Sequence, residues 1–307
     1  MRRHIISRLL LLLPTIWGVV TAVFLVIHLI PGDPVETMLG ETAMAAEKEA
    51  LRHELGLDRP VLSQYGVYLA GLASGDLGES IATRRPVFSE IITRWPATVE
   101  LAFAALLLSA LIAIPLGVLS AARRGGAMDN ATLFLSLIGA AVPAFWLGPL
   151  LIIVFAIELA WLPVSGRDGA ASIILPAVTL GAGMAAILLR LTRSAVLEAA
   201  EDEYIRAARA RGLSELMVYL KHALRNALLP VVTVLGLQLG ALLAGAVITE
   251  TIFSWPGVGR LMIEAIEKRD YPLVQGCVLN IALCYVFVNF AMDILYVWLD
   301  PRIRLER

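Results

Sequence analysis

Six stretches of the chain are almost unbroken runs of apolar residues, with the charged positions clustered between them. They lie near Leu9–Ile30, Val99–Ala122, Ala131–Ile157, Ile173–Leu191, Leu228–Thr249 and Val274–Leu299. Crossing about 30 Å of hydrocarbon takes about 20 helical residues, and each run is long enough. The pattern predicts an all-α membrane protein with six transmembrane helices. Most runs contain or abut proline: Pro14, Pro115, Pro143, Pro149, Pro176 and Pro230. In lipid, a backbone carbonyl freed by proline must find another partner, so these breaks argue for a packed bundle rather than separate anchors. Gly236 and Gly240 in the fifth run have the GxxxG spacing that admits a close helix neighbour.

The connections are expected to divide the chain into 1–30 (a cytoplasmic tip and the first span), 31–98 (an extracytoplasmic helical segment) and 99–307 (a core of five further spans with a cytoplasmic loop, 192–227). Pro31–Thr98 reads as a small helical cap, too short for an enzyme domain. Thr42 is a candidate N-cap, and Met44, Lys48, Leu51 and Leu55 share a helical face. Gly56 followed by Leu57 reads as a Schellman ending. A second helix is predicted from Val61 towards Leu72, and a third starts at Pro86, a residue favoured in a first turn. On the other side, residues 192–227 form the second substantial connection.

Composition fits lipid as the solvent. The 307 residues are 59% hydrophobic and 17% charged, against about 45–50% and about 25% in soluble domains. Mean hydropathy is +0.79. A net charge of −1 indicates neither a nucleic-acid binder nor an acidic tail. With a cytoplasmic N-terminus, the inside segments hold Arg2, Arg3, Arg8, Arg123, Arg124, seven basic residues from Arg190 to Arg225, and Arg302, Arg304 and Arg307. That is fifteen of the 25, so both termini are expected inside. The first run is longer than a signal-peptide core and ends in Pro31-Gly32-Asp33-Pro34, so it is read as a retained span. Cys277 and Cys284 stand about 10 Å apart along one helix, beyond disulfide reach, and are read as apolar fillers. The histidines His4, His28, His53 and His222 are scattered.

The loop 192–227 is the most informative segment. Glu198, Glu201, Asp202 and Glu203 precede Arg206, Arg209 and Arg211, an order that complements a helix dipole. Gly212 is a natural C′ residue and Ser214 can cap a second short helix. Ala200, Tyr204, Ala207, Ala208 and Arg211 fall on one face. A face so rich in alanine suits close contact with another protein.

The order Ala207-Ala208, then Gly212, then Leu229-Pro230 resembles the EAA loop of permease subunits in binding-protein-dependent ABC importers. Arg206 stands where that pattern has glutamate, and the stretch from Gly212 to Pro230 is longer than the general form. Both features resemble the dipeptide/oligopeptide/nickel branch, as do EYIRAARARGL and HALRNALLP. The resemblance extends along the chain through PGDP, ELGLDRP, GDLGES, VPAFWLG, ILPAVTLG, FSWPGVGRL, RDYPLVQG and DPRIR, and is to the first of the two permeases. It implies a type I importer permease in the bacterial inner membrane, importing dipeptides or oligopeptides, with nickel chelates or glutathione as alternatives. The implied partners are a homologous second permease, two ABC ATPase subunits and an extracytoplasmic substrate-binding protein.

The resemblance makes Glu203, Tyr204, Ile205, Arg206, Ala207, Ala208, Arg209, Arg211 and Gly212 the helix that seats in the ATPase. Gly212→Asp and Ala208→Glu are then expected to uncouple transport while leaving the protein in the membrane. No GxxxxGK[ST] occurs and none of the three lysines follows glycine. The chain is therefore expected to be non-catalytic and to hold no cofactor, with ATP and Mg on the partner subunits. Intramembrane polar residues are path candidates: Gln238 and Asn280, and Glu250 with Glu158 and Asp293 nearer span ends. FSWPGVGRLMIEAIEKRDYP reads as a helix meeting a docked binding protein through Trp255, Arg260 and Glu264. It reads equally as an interfacial helix anchored by Trp255 and Tyr271. A secondary transporter or channel, and an intramembrane enzyme, are the rival classes. The chain shows no clear inverted repeat, HExxH or GxSxG.

Overall fold

The computed structural model describes residues 2–29, 35, 44–54 and 56–299. Among these the regular structure is helical. Arg2–Leu29 form α1, with Pro14 inside it. Its apolar positions Val20 and Val23 pack with Leu279. Ala45–Glu54 form α2, and Gly56 follows at φ 65. The Leu57 N–H donates to Arg52 O at 2.9 Å, the Schellman bond expected there. Thr42 and the side chains of Leu51 and Leu55 lie outside the described residues.

Val61–Ser74 form α3, a helix without a charged residue. It lies along α1, where the Thr21 and Tyr65 hydroxyls meet at 2.7 Å. Phe24 stacks at a tilt on Tyr65 and Tyr68, at 5.1 and 5.6 Å.

The third helix expected in 31–98 is not separate. Val87–Ala122 form one helix, α4, of 36 residues, so the boundary expected at Thr98 falls within it. Pro96 costs the helix a ladder bond, but side chains brace the region from both sides. Trp95 Nε1 donates to Asn280 Oδ1 at 3.0 Å, and Trp255 Nε1 donates to Ala97 O at 2.7 Å. At 1.5 Å per residue α4 is about 54 Å long, more than a bilayer core needs.

The third apolar run is also not one straight rod. Ala127–Ala141 form α5 and Ala144–Leu151 form α6, which continues as a π-helical segment, Ile152–Glu158. The two halves meet at 100°. Val142 is extended, at φ −81 and ψ 116, as a residue before proline tends to be, and Pro143 has no N–H to continue the ladder.

Ile174–Ala199 form α7, the central helix, packed against α4, α5 and Leu224–Gly245 (α10). Val247–Ile252 (α11) and Val258–Glu267 (α12) follow, and Tyr271–Leu299 form α13. Gly236 of α10 lies so close to α13 that an added Cβ would sit 2.1 Å from Met292. The GxxxG spacing is therefore a real contact. Among the described residues, four helices are each long and apolar enough to cross a membrane, five if the bent pair counts as one span, while α1 carries a shorter apolar stretch, Leu10–Leu25.

Candidate coupling surface

At one end of the bundle α7 stops at Ala199, and after a turn Glu203–Ala210 form a short helix, α8. The expected single face from Ala200 to Arg211 is therefore split, because Ala200 closes α7 and Asp202 precedes α8. Ile205 and Ala208 point inward and are buried. They share an apolar cluster with Val118 and Ala121 of α4, Val196 of α7, and Val218 and Ala223. Ala208 is thus an anchor onto the chain's own core and is not part of an outward alanine face. Glu203, Arg206, Ala207, Ala210 and Arg211 are exposed, and form the outward face. Arg206 and Arg211 have no ion pair among the described residues.

Gly212 has φ 78, and its N–H donates to Arg209 O at 2.9 Å. Open space surrounds the place a Cβ would occupy, so the need for glycine is conformational. Beyond the turn, Ser214 Oγ accepts from Met217 N–H at 3.4 Å. That cap starts a helix running from Glu215–Met217 (α9) through a π-helical segment, Val218–Ala223, into α10. Arg209 bridges the turn, with Nε 2.9 Å from Glu215 Oε1 and a second nitrogen 3.2 Å from Oε2. The hydrogen-bonded Glu215 raises the Arg209 pKa further. Tyr204 Oη accepts from Asn226 Nδ2 at 2.9 Å, tying α8 to α10. Burial, then the nearby Asp202 charge, pushes the Tyr204 pKa up against the pull of that bond.

A second anchor at this end went unnoticed in the sequence. Asp129, 1% exposed, takes a bidentate pair from Arg193 at 2.7 and 2.8 Å. Ser120 Oγ and the Gly125 N–H also donate to it. Three helices are joined there, and the carboxylate is fully satisfied. The only signal was an acid and an arginine just outside the ends of apolar runs.

The other candidate residues scatter. Gln238 Nε2 donates to Met184 O at 3.2 Å, linking α10 to α7, and its Oε1 is buried without a partner. Asn280 serves Trp95 as above. Asp293 lines a groove between α1 and α13 with Thr15 and Asn289, and Glu158 is exposed. Trp255 is 0% exposed, so it anchors the core and neither meets a docked protein nor sits in the interface. Arg260 pairs with Glu264 at 2.8 Å, and both are partly exposed.

Glu250 is 0% exposed, at the end of the bundle opposite α8. It accepts from Thr98 Oγ1 at 2.8 Å and from the Arg260 N–H at 2.9 Å. Thr98 Oγ1 in turn accepts from the Val258 N–H at 2.9 Å. Burial pushes the Glu250 pKa up, and these bonds oppose it. Thr98 is the centre of this hub, although sequence reasoning treated it only as a boundary. Among the described residues no group of three or more His, Cys, Asp and Glu is placed to hold a metal.

The family model for the binding-protein-dependent transport system inner membrane component matches residues 113–305. The corresponding N-terminal model matches residues 1–102. The chain is 46% identical to the di/tripeptide transport system permease protein DppB of Pseudomonas aeruginosa (strain UCBPP-PA14), over the full length of both. It is 44% identical to the dipeptide transport system permease protein DppB of Escherichia coli (strain K12), again over both full lengths. It is 43% identical to the glutathione transport system permease protein GsiC of Pectobacterium atrosepticum, with full coverage of both. Among solved structures, the MetNI methionine ABC transporter in inward-facing conformations matches with a TM-score of 0.55 and 21% identity. That match covers 69% of this chain and 97% of the other, and it shows a shared fold.

Proposed function

The chain belongs to the binding-protein-dependent transport system inner membrane component family, and from that premise we propose that it is a permease subunit of an ATP-driven importer of short peptides. Full-length identity of 44–46% to dipeptide permeases supports this substrate class. The glutathione relatives keep a glutathione substrate as the second reading. Family membership supports this reading over the secondary-transporter and intramembrane-enzyme readings.

In this reading the chain crosses the bilayer six times with both termini cytoplasmic, α1 and the bent α5–α6 pair each counting as one span. It forms half of the translocation path beside a homologous second permease. Two ABC ATPase subunits hold ATP and Mg, and an extracytoplasmic binding protein delivers substrate. Gln238 and Asn280 remain path candidates, whereas the sealed hub around Glu250 supports an architectural part for that residue. Arg260 and Glu264, beside that hub at the outer end, remain the candidates for meeting the binding protein.

The observation that carries the coupling role is the two-sidedness of α8. Its inner side, Ile205 and Ala208, is locked to the ends of α4 and α7. Its outer side presents Glu203, Arg206, Ala207 and Arg211. A helix anchored this way converts a push from a closing ATPase into motion of two spans at once. ATP biases a two-state element without chemistry in this chain. The test is site-directed crosslinking in the reconstituted complex. Cysteine at Arg206 or Ala207 is expected to crosslink to the ATPase subunits, with a yield that changes on ATP binding. Crosslinking absent from both positions in an actively transporting complex would refute the coupling assignment.

A further inference from the structure

Between α8 and the start of α10 lies a cavity of about 940 Å³ that the coupling role does not use. Its upper wall is basic and polar, with Lys221, His222, Arg225 and Asn226. Its lower wall is apolar and includes Leu229 and Val232. None of the residues lining it is acidic. Lys221 and Arg225 are exposed and have no ion pair among the described residues. Two cations thus converge on one opening without a counter-charge from the described chain.

The charge changes with depth. Lys221, Arg225, Leu229 and Val232 follow one another down the same helix at spacings of four, four and three, so one stripe turns from cationic to greasy within about two turns. Leu229 is 37% exposed although it begins an apolar span. A small water-soluble anion would match only the upper wall. A soluble protein could not follow the stripe into the apolar region. A molecule with an anionic head and hydrocarbon tails fits both parts, and basic pockets between spans at the cytoplasmic surface suit such headgroups.

We propose that this cavity binds the headgroup of an anionic phospholipid of the inner leaflet, with Lys221 and Arg225 on the phosphate and the acyl chains along Leu229 and Val232. The choice of leaflet rests on the orientation proposed above, whereas the chemistry does not. The bound lipid would lie directly behind α8, which Asn226 and Tyr204 already tie to this wall.

The experiment uses the full-length chain purified in a neutral detergent. Thermal unfolding is followed with added phosphatidylglycerol, phosphatidylcholine or inorganic phosphate. Phosphatidylglycerol is expected to raise the midpoint by at least about 3 °C, with phosphatidylcholine and inorganic phosphate giving little change. The shift is expected to vanish in the Lys221→Gln/Arg225→Gln variant and to persist in Arg123→Gln/Arg124→Gln, which removes two exposed cations elsewhere at the same end. Native mass spectrometry of each single variant, counting retained phosphatidylglycerol, decides the matter if the double variant is itself unstable. One fewer bound lipid than in the parent is expected. An equal shift from phosphatidylcholine or phosphate, an undiminished shift in the Lys221/Arg225 variant, its loss in the control, or unchanged stoichiometry would overturn the proposal. The measurement involves no ATPase, so its failure would leave the coupling assignment standing.

Discussion

Two adjacent alanines of α8 should respond oppositely to the same substitution. Ala208 is 6% exposed, packed among Val118, Val196, Ile205 and Val218. Ala208→Glu adds a methylene and a carboxyl, four heavy atoms, to a filled cluster. Overpacking costs about 1–3 kcal/mol, and a buried polar group without a partner costs about 1–3 kcal/mol on top. A loss of roughly 2–6 kcal/mol is comparable to the whole stability of many domains. Ala207→Glu meets only solvent, and such surface changes stay within about 0.5 kcal/mol. Unfolding of the purified chain should therefore separate the variants, with Ala208→Glu melting early or failing to accumulate and Ala207→Glu behaving as the parent. Substrate uptake and ATPase activity in proteoliposomes supply the other axis. Ala207→Glu should assemble but lose most coupled uptake, because it puts a bulky charge where the partner's backbone would approach. Normal uptake by a stable Ala207→Glu complex would show that this face does not dock. Parental stability of Ala208→Glu would show that the inward assignment is wrong.

Four further outcomes follow from the geometry. Gly257→Ala should destabilise the chain by about 1–3 kcal/mol, because its Cβ would lie 2.3 Å from the Glu250 carboxylate; adding Glu250→Ala should recover part of the loss in a double-mutant cycle of thermal unfolding. Asp270→Ala should cost about 0.5–2 kcal/mol from the cap alone, since Asp270 accepts from the Leu273 N–H at 3.2 Å, and more through Ser80 and Ala82, whose donors it also satisfies; guanidinium or thermal unfolding reads the sum. Gly212→Ala should cost about 1 kcal/mol from its left-handed backbone, whereas Gly212→Asp should also weaken coupled transport in proteoliposomes. With Cys277 and Cys284 replaced by alanine, a single cysteine at Gly212 should react with an impermeant thiol reagent only from the cytoplasmic face, and one at Glu79 only from outside.

What was legible beforehand was local. Gly56, Gly212 and Ser214 each took the capping role their residue type implied, because a cap depends on three or four neighbouring residues. The Gly236–Gly240 spacing also marked a true helix contact. Long-range packing was not legible. Alanine at 207 and alanine at 208 are chemically identical, and only the positions of α4 and α7 decide which is buried. Trp255 has the residue type of an interfacial anchor, yet the Ala97 carbonyl lies within hydrogen-bond reach of its indole, so it is drawn inside. The merging of the third helix of 31–98 with the second span was not legible, because the braces around Pro96, Trp95 to Asn280 and Trp255 to Ala97, are long-range contacts. The bend in the third run was foreshadowed by Pro143, but its size depends on what α6 packs against.

These corrections bear on how force crosses the molecule. At one end α4 supplies Val118 and Ala121 to the cluster holding α8. Near its other end the same helix supplies Thr98 to Glu250 and the Val258 N–H. Because α4 is continuous, a displacement applied at α8 in the proposed coupling role would reach the Glu250 hub along one helix, which Pro115 deprives of a ladder bond but does not interrupt with a loop. A separate outer helix ending before Thr98 would have broken that path. The hub also fixes the start of α12, so in the proposed role a tilt of α4 would carry the helix that holds Arg260 and Glu264. Coupling between the two ends of α4 would then need no chain of side-chain rearrangements along the bundle. It needs only that the two ends of α4 remain clamped, which the buried apolar cluster does at one end and the satisfied carboxylate at the other.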